Sequence, residues 1–198
     1  MQFKEEFISK IISGEKTQTR RLVKEGEIAV VERIENPSLT WTETGAYLEG
    51  EGILSAVVRN GKTKYKVGKD YAVQTGRGTK GLWYCPKCKV ENCYTGNLKK
   101  DFDWAEKGHR LIPLRIKITD IIKTFLRDIS NNSVIAEGFK TKKEFLTYFY
   151  TLYWNAVREN GITGKMEPVI PKKFKKGFTP ETCIWNPEVW VLTFEVKK

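Results

Sequence analysis

A lysine and a threonine near the start of the chain are residue types that can carry out nucleophilic catalysis. They lie in the segment GEKTQTRR, residues 14–21. A hydroxyl becomes a nucleophile only when a neighbouring base takes its proton, and a lysine can act as that base if burial or nearby cations lower its pKa. Arg20 and Arg21 can supply such cations. Lys16 and Thr19 are therefore candidate catalytic residues.

The same residues also suit phosphate binding without any chemistry, because ammonium, hydroxyl and guanidinium groups all donate hydrogen bonds to phosphate oxygens. Local conformation bears on the choice between the two roles. Residues three apart share a face of a helix but not of an extended strand. Gly14 is placed as a helix C-cap glycine would be, so both conformations stay open for the Lys16–Thr19 pair.

The charge of the chain favours a polyanionic partner. Its 198 residues include 35 Lys and Arg against 24 Asp and Glu, a formal net charge of +11. Phosphate neutralisation releases counterions, although a solvated basic surface gives the same count. Gln74 and Arg77 lie at a strand end and in a Gly-Arg-Gly turn, which permits close backbone approach to a ligand but is also typical of a plain turn. The candidate nucleic-acid-binding residues are Arg20, Arg21, Gln74, Arg77, Lys172 and Lys173.

Three of the four cysteines lie close together, as expected for a metal site. Cys85, Cys88 and Cys93 begin an aperiodic insertion at about 85–108. Zinc requires four tetrahedral ligands, and a structural zinc would keep such a segment ordered. His109 is the predicted fourth ligand, and three reduced thiols in a loop are the alternative. Other possible fourth ligands are Cys183, Asp101 and Asp103.

Hydrophobic periodicity predicts a mixed α+β fold. Apolar residues from Phe3 to Ile12 recur at helical spacing, and a Thr141-x-x-Glu144 capping box precedes a helix with predicted core residues Phe145, Phe149, Leu152 and Trp154. A further short helix follows Asp128-Ile129-Ser130. Strands are predicted at 26–34, 53–58, 69–75, 111–119 and 188–196, with Asn60-Gly61 as a tight hairpin turn. We expect one domain over 1–198, carrying the insertion and a basic loop at about 161–183.

Aromatic residues interleaved with cations suggest base stacking as a second mode of RNA contact. These aromatics are Tyr65, Tyr71, Trp83 and Tyr84, and burial in the core is the alternative for each. Trp185 and Trp190 are assigned to the core. No apolar run approaches the roughly 20 residues of a membrane span, and residues 1–10 lack a signal-peptide pattern, so we expect a cytoplasmic protein.

Five segments, in order, give the chain a family resemblance. They are Gly14-x-Lys16-Thr17-x-Thr19-x-Arg21, the stretch from Lys66 to Gly78, Asp128-Ile129-Ser130, Glu137-Gly138-Phe139, and Asn186-Pro187 through Phe194. Together they resemble an ASCH domain. The resemblance implies a small PUA-like β-barrel with about three flanking helices and a cleft beside the first helix. It also implies RNA binding, and in some members amide hydrolysis on an acylated cytidine or nuclease activity.

The resemblance assigns roles to three residues. Lys16 and Thr19 match the lysine and threonine of the family segment, and Glu137 matches its acidic partner, which would orient the lysine or handle the leaving-group proton. Helix-end solubility, with Gly138 as the C-cap, is the alternative for Glu137. The first hypothesis is an RNA-binding protein with a basic cleft at this segment. The alternatives are an amidohydrolase of an acylated cytidine nucleoside through these three residues, and a ribonuclease, so the partner is RNA or a modified nucleoside.

Overall fold

The computed structural model describes residues 1–32, 38–42, 45–49, 53–75, 81–87, 94–95, 108, 110–153, 180, 183 and 185–197. Most of the predicted insertion and nearly all of the predicted basic loop lie outside these ranges. The predicted residues that fall outside the described ones are Arg77, Cys88, Cys93, Asp101, Asp103, His109, Trp154, Lys172 and Lys173.

The described helices begin and end where local sequence signals place them. They are α1 (Ile8–Ser13), α2 (Asn131–Ala136) and α3 (Lys142–Leu152), with 3₁₀ turns at Glu5–Phe7 and Leu126–Asp128. Helix α1 ends at Gly14, whose φ of 84° only glycine adopts readily. The Ser130 side chain accepts a hydrogen bond from the Ser133 N–H at the start of α2. The capping box predicted at Thr141 is complete.

The described strands pair antiparallel. Their bounds are β1 (Gln18–Leu22), β2 (Glu27–Glu32), β3 (Ser38–Thr42), β4 (Gly45–Glu49), β5 (Ile53–Arg59), β6 (Lys62–Lys66), β7 (Asp70–Ala72), β8 (Trp83–Tyr84), β9 (Tyr94–Thr95), β10 (Ile112–Pro113), β11 (Arg115–Phe125) and β12 (Glu188–Lys197). They form sheets ordered β1-β12-β11-β7, β10-β8-β9, β2-β5-β6 and β3-β4. The predicted mixed α+β class is confirmed.

Strand β12 is the centre of the core because both of its faces are covered. Val189 and Val191 pack into a cluster with residues of α2 and α3. Trp190 and Leu192, on the opposite face, pack with Val57 of β5 and with residues of β11. Alternate residues facing opposite sides are typical of a strand, as predicted for 188–196. The neighbouring β11 begins at Arg115 and continues to Phe125, beyond the predicted end at 119, and a register shift between Ile118 and Asp120 places one extra residue of β11 opposite β12.

Two further predictions concern local structure. Asn60 and Gly61 have φ values of 50° and 70°, the left-handed pair that a tight hairpin of this kind requires, so the predicted turn is confirmed. Leu152 was expected in the core but is 42% exposed. It is the last residue of α3, beyond the turns whose apolar face the sheet covers. Leu146 and Tyr150 are buried on that helix in addition to the predicted Phe145 and Phe149.

Of the aromatics proposed for base stacking, Tyr65 and Tyr84 are buried in the core. Burial raises the pKa of Tyr84, as expected for a phenol away from water. The core alternative therefore holds for these two residues. Trp190, assigned to the core, is 1% exposed, and Trp185 is partly buried against the cluster beneath α3. Among the described residues, none of the helices has the length and apolar character of a membrane span.

Candidate functional site

Backbone hydrogen bonds join the segment between α1 and β1 to three elements, α1, α2 and β12. The Lys16 N–H donates to the Lys10 carbonyl at 2.9 Å, and the Thr17 N–H donates to the Ala136 carbonyl at 2.9 Å. The Phe194 N–H donates to the Thr17 carbonyl at 2.8 Å. The chain is therefore already leaving α1 at Lys16, and Thr19 lies in β1. The Lys16–Thr19 pair is not presented on one helix face.

Gly138 allows the end of α2 to approach α1 closely. Its φ is +86°, and a Cβ there would lie 3.3 Å from Lys10 Cδ, 3.5 Å from Phe7 Cδ1 and 3.6 Å from Lys16 Cβ. Lys10 Nζ donates a 2.5 Å hydrogen bond to the Gly138 carbonyl. The glycine thus places the preceding residue, Glu137, against Lys16.

We expect Gly138→Ala to lower the free energy of unfolding by about 2 kcal/mol, because a left-handed alanine costs about 1–2 kcal/mol and this Cβ also crowds its neighbours. Gly14→Ala is the matched control, since Gly14 has φ +84° but no described atom within 4 Å of the added Cβ. Urea unfolding of both variants measures the difference. Equal losses would mean that close approach at Gly138 contributes nothing.

Glu137 lies between two cations in the interior. Its Oε2 accepts from Lys16 Nζ at 2.9 Å and its Oε1 accepts from Arg20 Nη1 at 3.1 Å. The Glu137 backbone carbonyl accepts from Lys16 Nζ at 2.6 Å. Lys16 and Glu137 are each 3% exposed and Arg20 is 7% exposed. The alternative of a solubilising helix-end glutamate therefore does not hold.

The composition of this buried triad determines which group gives up a proton. With all three groups ionised, two cations face one carboxylate away from water, which is costly. A guanidinium keeps its proton, so Lys16 is the residue that can relieve the excess charge. Burial lowers the pKa of Lys16, Glu137 opposes that shift, and Arg21 and Arg20 add to it. The net direction is downward, as a general base requires.

The hydrogen bonds made by Lys16 also suit a neutral amine. An ammonium has three N–H donors, whereas a neutral amine has two donors and a lone pair. The two acceptors that Lys16 Nζ contacts in the described structure, both on Glu137, match the two donors of the neutral form. Its lone pair is then uncommitted and can accept the proton of a hydroxyl.

The lowered pKa of Lys16 makes a prediction about stability and pH. Between the folded-state pKa and about 10.4, the unfolded chain binds more protons at this residue, so its contribution to stability increases as pH rises through that window. We expect the difference in unfolding free energy between wild type and Lys16→Met to shift in favour of wild type from pH 7 to pH 10. The slope is at most about 1.4 kcal/mol per pH unit. Urea titrations of both proteins at several pH values test this, and a constant difference would contradict it.

A cavity of about 210 Å³ opens beside the triad. Its aromatic wall consists of Phe3, Phe7, Phe145, Tyr148 and Phe149. Its polar lining includes Lys4, Lys16, Thr19, Arg20, Arg21 and Glu137. The structure therefore brings all three predicted catalytic residues, Lys16, Thr19 and Glu137, into one cavity. The Thr19 hydroxyl donates to none of the described residues, so its proton is available to a base.

Tyr148 is a cavity residue that sequence reasoning did not identify. Its ring packs edge-on against Phe7, with centroids 5.3 Å apart, and contacts Phe139 at 5.2 Å. Burial is the main reason that its pKa is raised to about 12, so the phenol stays protonated and can donate a hydrogen bond. The only sequence signal was its position on α3 between Phe145 and Phe149, which predicts a shared face but not a cavity.

The predicted nucleic-acid-binding residues that the structure describes have different surroundings. Arg20 is buried in the triad rather than exposed to a strand of RNA, and its guanidinium lies 5.6 Å from the Phe145 ring centroid. Arg21 lines the cavity. The Gln74 carbonyl accepts from the Phe3 N–H at 2.8 Å, and its N–H donates to the Met1 carbonyl at 2.9 Å.

Of the predicted zinc ligands, only Cys85 lies in the described part of the chain. It is buried, directly after β8, and its thiol is free. Cys183 is buried beneath α3, where burial raises the pKa of its thiol and so favours the protonated form. The described residues contain no group of three or more metal-ligand side chains. The zinc site at Cys85, Cys88, Cys93 and His109 stays a prediction.

The fold and the site define a mixed α+β protein with a partly enclosed cationic cavity beside its first helix. A buried Lys-Glu-Arg triad and a threonine hydroxyl line that cavity. Comparisons with protein-family models, curated proteins and solved structures found no significant match to this chain.

Proposed function

We propose that this protein is an ASCH-type amidohydrolase that removes the acyl group from the exocyclic amine of an acylated cytidine. The observation that carries the proposal is the burial of Lys16 against Glu137 in the lining of the cavity, with Arg20 as a second cation and Thr19 lining the same cavity. A buried lysine in an overall positive cluster can act as a base, and a threonine lining the same cavity can act as a nucleophile.

In the proposed reaction, the Thr19 oxygen attacks the carbonyl carbon of the amide while the neutral Lys16 amine takes the hydroxyl proton. The carbonyl oxygen becomes an oxyanion in a cavity lined by cations, which stabilises the developing negative charge. The C–N bond then breaks, and the proton on Lys16 is returned to the departing nitrogen. Water hydrolyses the resulting threonine ester, which releases the carboxylic acid and restores Thr19.

The size of the cavity supports a single pyrimidine ring as the bound group. A cavity of about 150 Å³ is enough to hold benzene, so 210 Å³ accommodates one six-membered ring with a small substituent. Aromatic side chains on the wall offer faces and edges against which such a ring can pack. The ribose of the nucleoside would then lie at the opening.

A PUA-like barrel and a cytoplasmic location are parts of the same proposal. What supports the barrel is the connection between two sheets. Just after β6, the Gly68 N–H donates to the Ile118 carbonyl at 2.8 Å, and the Ile118 N–H donates to the Lys69 carbonyl at 3.3 Å. These bonds join the chain that leaves the β2-β5-β6 sheet to β11 of the largest sheet.

The experiment that tests the proposed function is a turnover assay with N4-acetylcytidine, following the release of cytidine and acetate by chromatography. Stoichiometric release of both products, catalytic in protein, is the expected result. Folded wild-type protein that releases no cytidine would overturn the amidohydrolase proposal.

RNA binding without chemistry is the second candidate, and the net charge of +11 favours it. A protein that binds RNA through phosphate contacts loses affinity steeply with salt, with a slope proportional to the number of phosphates contacted. A strong salt dependence for single-stranded RNA, together with no turnover of N4-acetylcytidine, would establish this second function in place of the first.

A further inference from the structure

The lining of the cavity carries more positive charge than an amide hydrolysis requires. Four cationic side chains and one carboxylate line the cavity. Lys16 and Arg20 are paired with Glu137, but Lys4 and Arg21 take no part in the proton transfers of the proposed reaction. A neutral nucleoside would bring no negative charge to balance that excess. In a partly enclosed space, charge interactions are stronger than in bulk water.

Arg21 is held in place by its surroundings. Its Nη2 donates to the Gln2 backbone carbonyl, and its guanidinium lies 5.4 Å from the Phe3 ring centroid. A guanidinium has five N–H donors, so donors remain for an anion. Such a fixed, planar donor set matches the geometry of a phosphate better than a flexible lysine does.

The backbone beneath Arg21 is also fixed. The Phe3 N–H donates to the Gln74 carbonyl, Gln2 pairs with Gln74 in a parallel bridge, and Phe3 packs edge-on against Phe194 at 5.7 Å. Arg21 lines the same cavity as Lys16 and Tyr148. Its positive charge adds to the lowering of the Lys16 pKa and opposes the larger effect of burial on the Tyr148 pKa.

We propose that Arg21, with Lys4, forms a phosphate subsite at the cavity opening, so that the bound species is a cytidine nucleotide rather than a free nucleoside. This inference rests on the proposed function for the position of the base. The aromatic wall and triad receive the base and its acyl group, the ribose lies at the opening, and the phosphate lies against the two cations. The phosphate is that of a free mononucleotide or of an RNA strand, which offer the same chemistry.

The test is equilibrium binding of cytidine, cytidine 5′-monophosphate and a short single-stranded RNA with an internal cytidine, measured by calorimetry at one ionic strength. We expect the monophosphate to bind about 10–100-fold more tightly than cytidine, the effect of a charge-assisted hydrogen-bonded contact. In Arg21→Gln the ratio of the two affinities should fall to within about threefold. Lys24→Gln, which removes an exposed cation outside the cavity, is the matched control and should keep the wild-type ratio.

The outcomes separate this inference from the proposed function. Equal affinity for cytidine and its monophosphate in wild type, or a ratio that Arg21→Gln leaves intact, would overturn the phosphate subsite even if N4-acetylcytidine is hydrolysed. A phosphate preference that depends on Arg21, without turnover of N4-acetylcytidine, would uphold the subsite and overturn the hydrolase alone. RNA that binds as tightly as the monophosphate identifies the strand as the phosphate source, and weaker RNA binding identifies the free nucleotide.

Discussion

Lys16→Met should lower kcat/KM for N4-acetylcytidine by about 10²–10⁴-fold, the usual contribution of a positioned general base. Methionine keeps much of the length of the lysine side chain but cannot accept a proton. Thr19→Val, which removes the nucleophilic hydroxyl with little change in shape, should cause a loss at least as large. Initial rates over a range of substrate concentrations measure both effects.

The Lys16→Met protein should remain folded, which makes its kinetics interpretable. Without Lys16, Glu137 still pairs with Arg20 at 3.1 Å, and that pair is neutral overall. Circular dichroism and urea unfolding check the fold, with a change in stability within about 2 kcal/mol of wild type at neutral pH. Lys24→Met, at an exposed lysine that does not line the cavity, controls for loss of a positive charge. Turnover that survives in folded Lys16→Met would remove Lys16 from the mechanism and leave Thr19 without a base.

Glu137→Gln should have the largest effect on stability, a loss of about 3–5 kcal/mol in the free energy of unfolding. Glutamine has the shape of glutamate but no charge, so Arg20 is left as a buried cation without a counterion. Natural domains are stable by only about 5–15 kcal/mol, so this variant should be markedly easier to unfold by urea.

The double variant Lys16→Met/Glu137→Gln tests whether the contact between Lys16 and Glu137 contributes to that loss. It removes both partners of the contact and, like Glu137→Gln alone, leaves Arg20 as the unpaired buried cation. Because the residues are in direct contact, the two changes should not be additive, with a coupling of about 1–3 kcal/mol. Additive losses would mean that Lys16 and Glu137 do not interact in the folded protein, which would contradict the buried triad.

The local elements were largely predictable. The end of α1 at Gly14, the N-cap at Ser130, the capping box at Thr141 and the turn at Asn60-Gly61 all depend on contacts within a few residues. Such signals act through steric limits and short-range hydrogen bonds, which the neighbouring residues determine. Strand ends were less accurate, because the length of β11 depends on its partner β12 rather than on its own residues.

The residue types of the site were predictable from the sequence, but their burial and their contacts were not. Lys16, Thr19 and Glu137 were named from a motif, yet Glu137 had an equally simple alternative as a solvated helix end. Arg20 is predicted both as a cation near Lys16 and as an RNA contact, and its burial in the triad agrees with the first role. The helical spacing of Tyr148 with Phe145 and Phe149 predicts a shared face but not a cavity, because an aromatic residue that lines a cavity is indistinguishable in sequence from an ordinary core residue.

The sequence by itself determined the fold class, the caps and turns, and the residue types available for catalysis. Only the tertiary structure decided that Lys16 meets Glu137 across 121 positions in the chain, that both are withdrawn from water, and that Thr19 shares their cavity. A pKa depends on burial and on neighbouring charges, and both come from chain segments that packing brings together. The chemistry of Lys16 is thus a property of the folded protein, and its motif supplies only the amine.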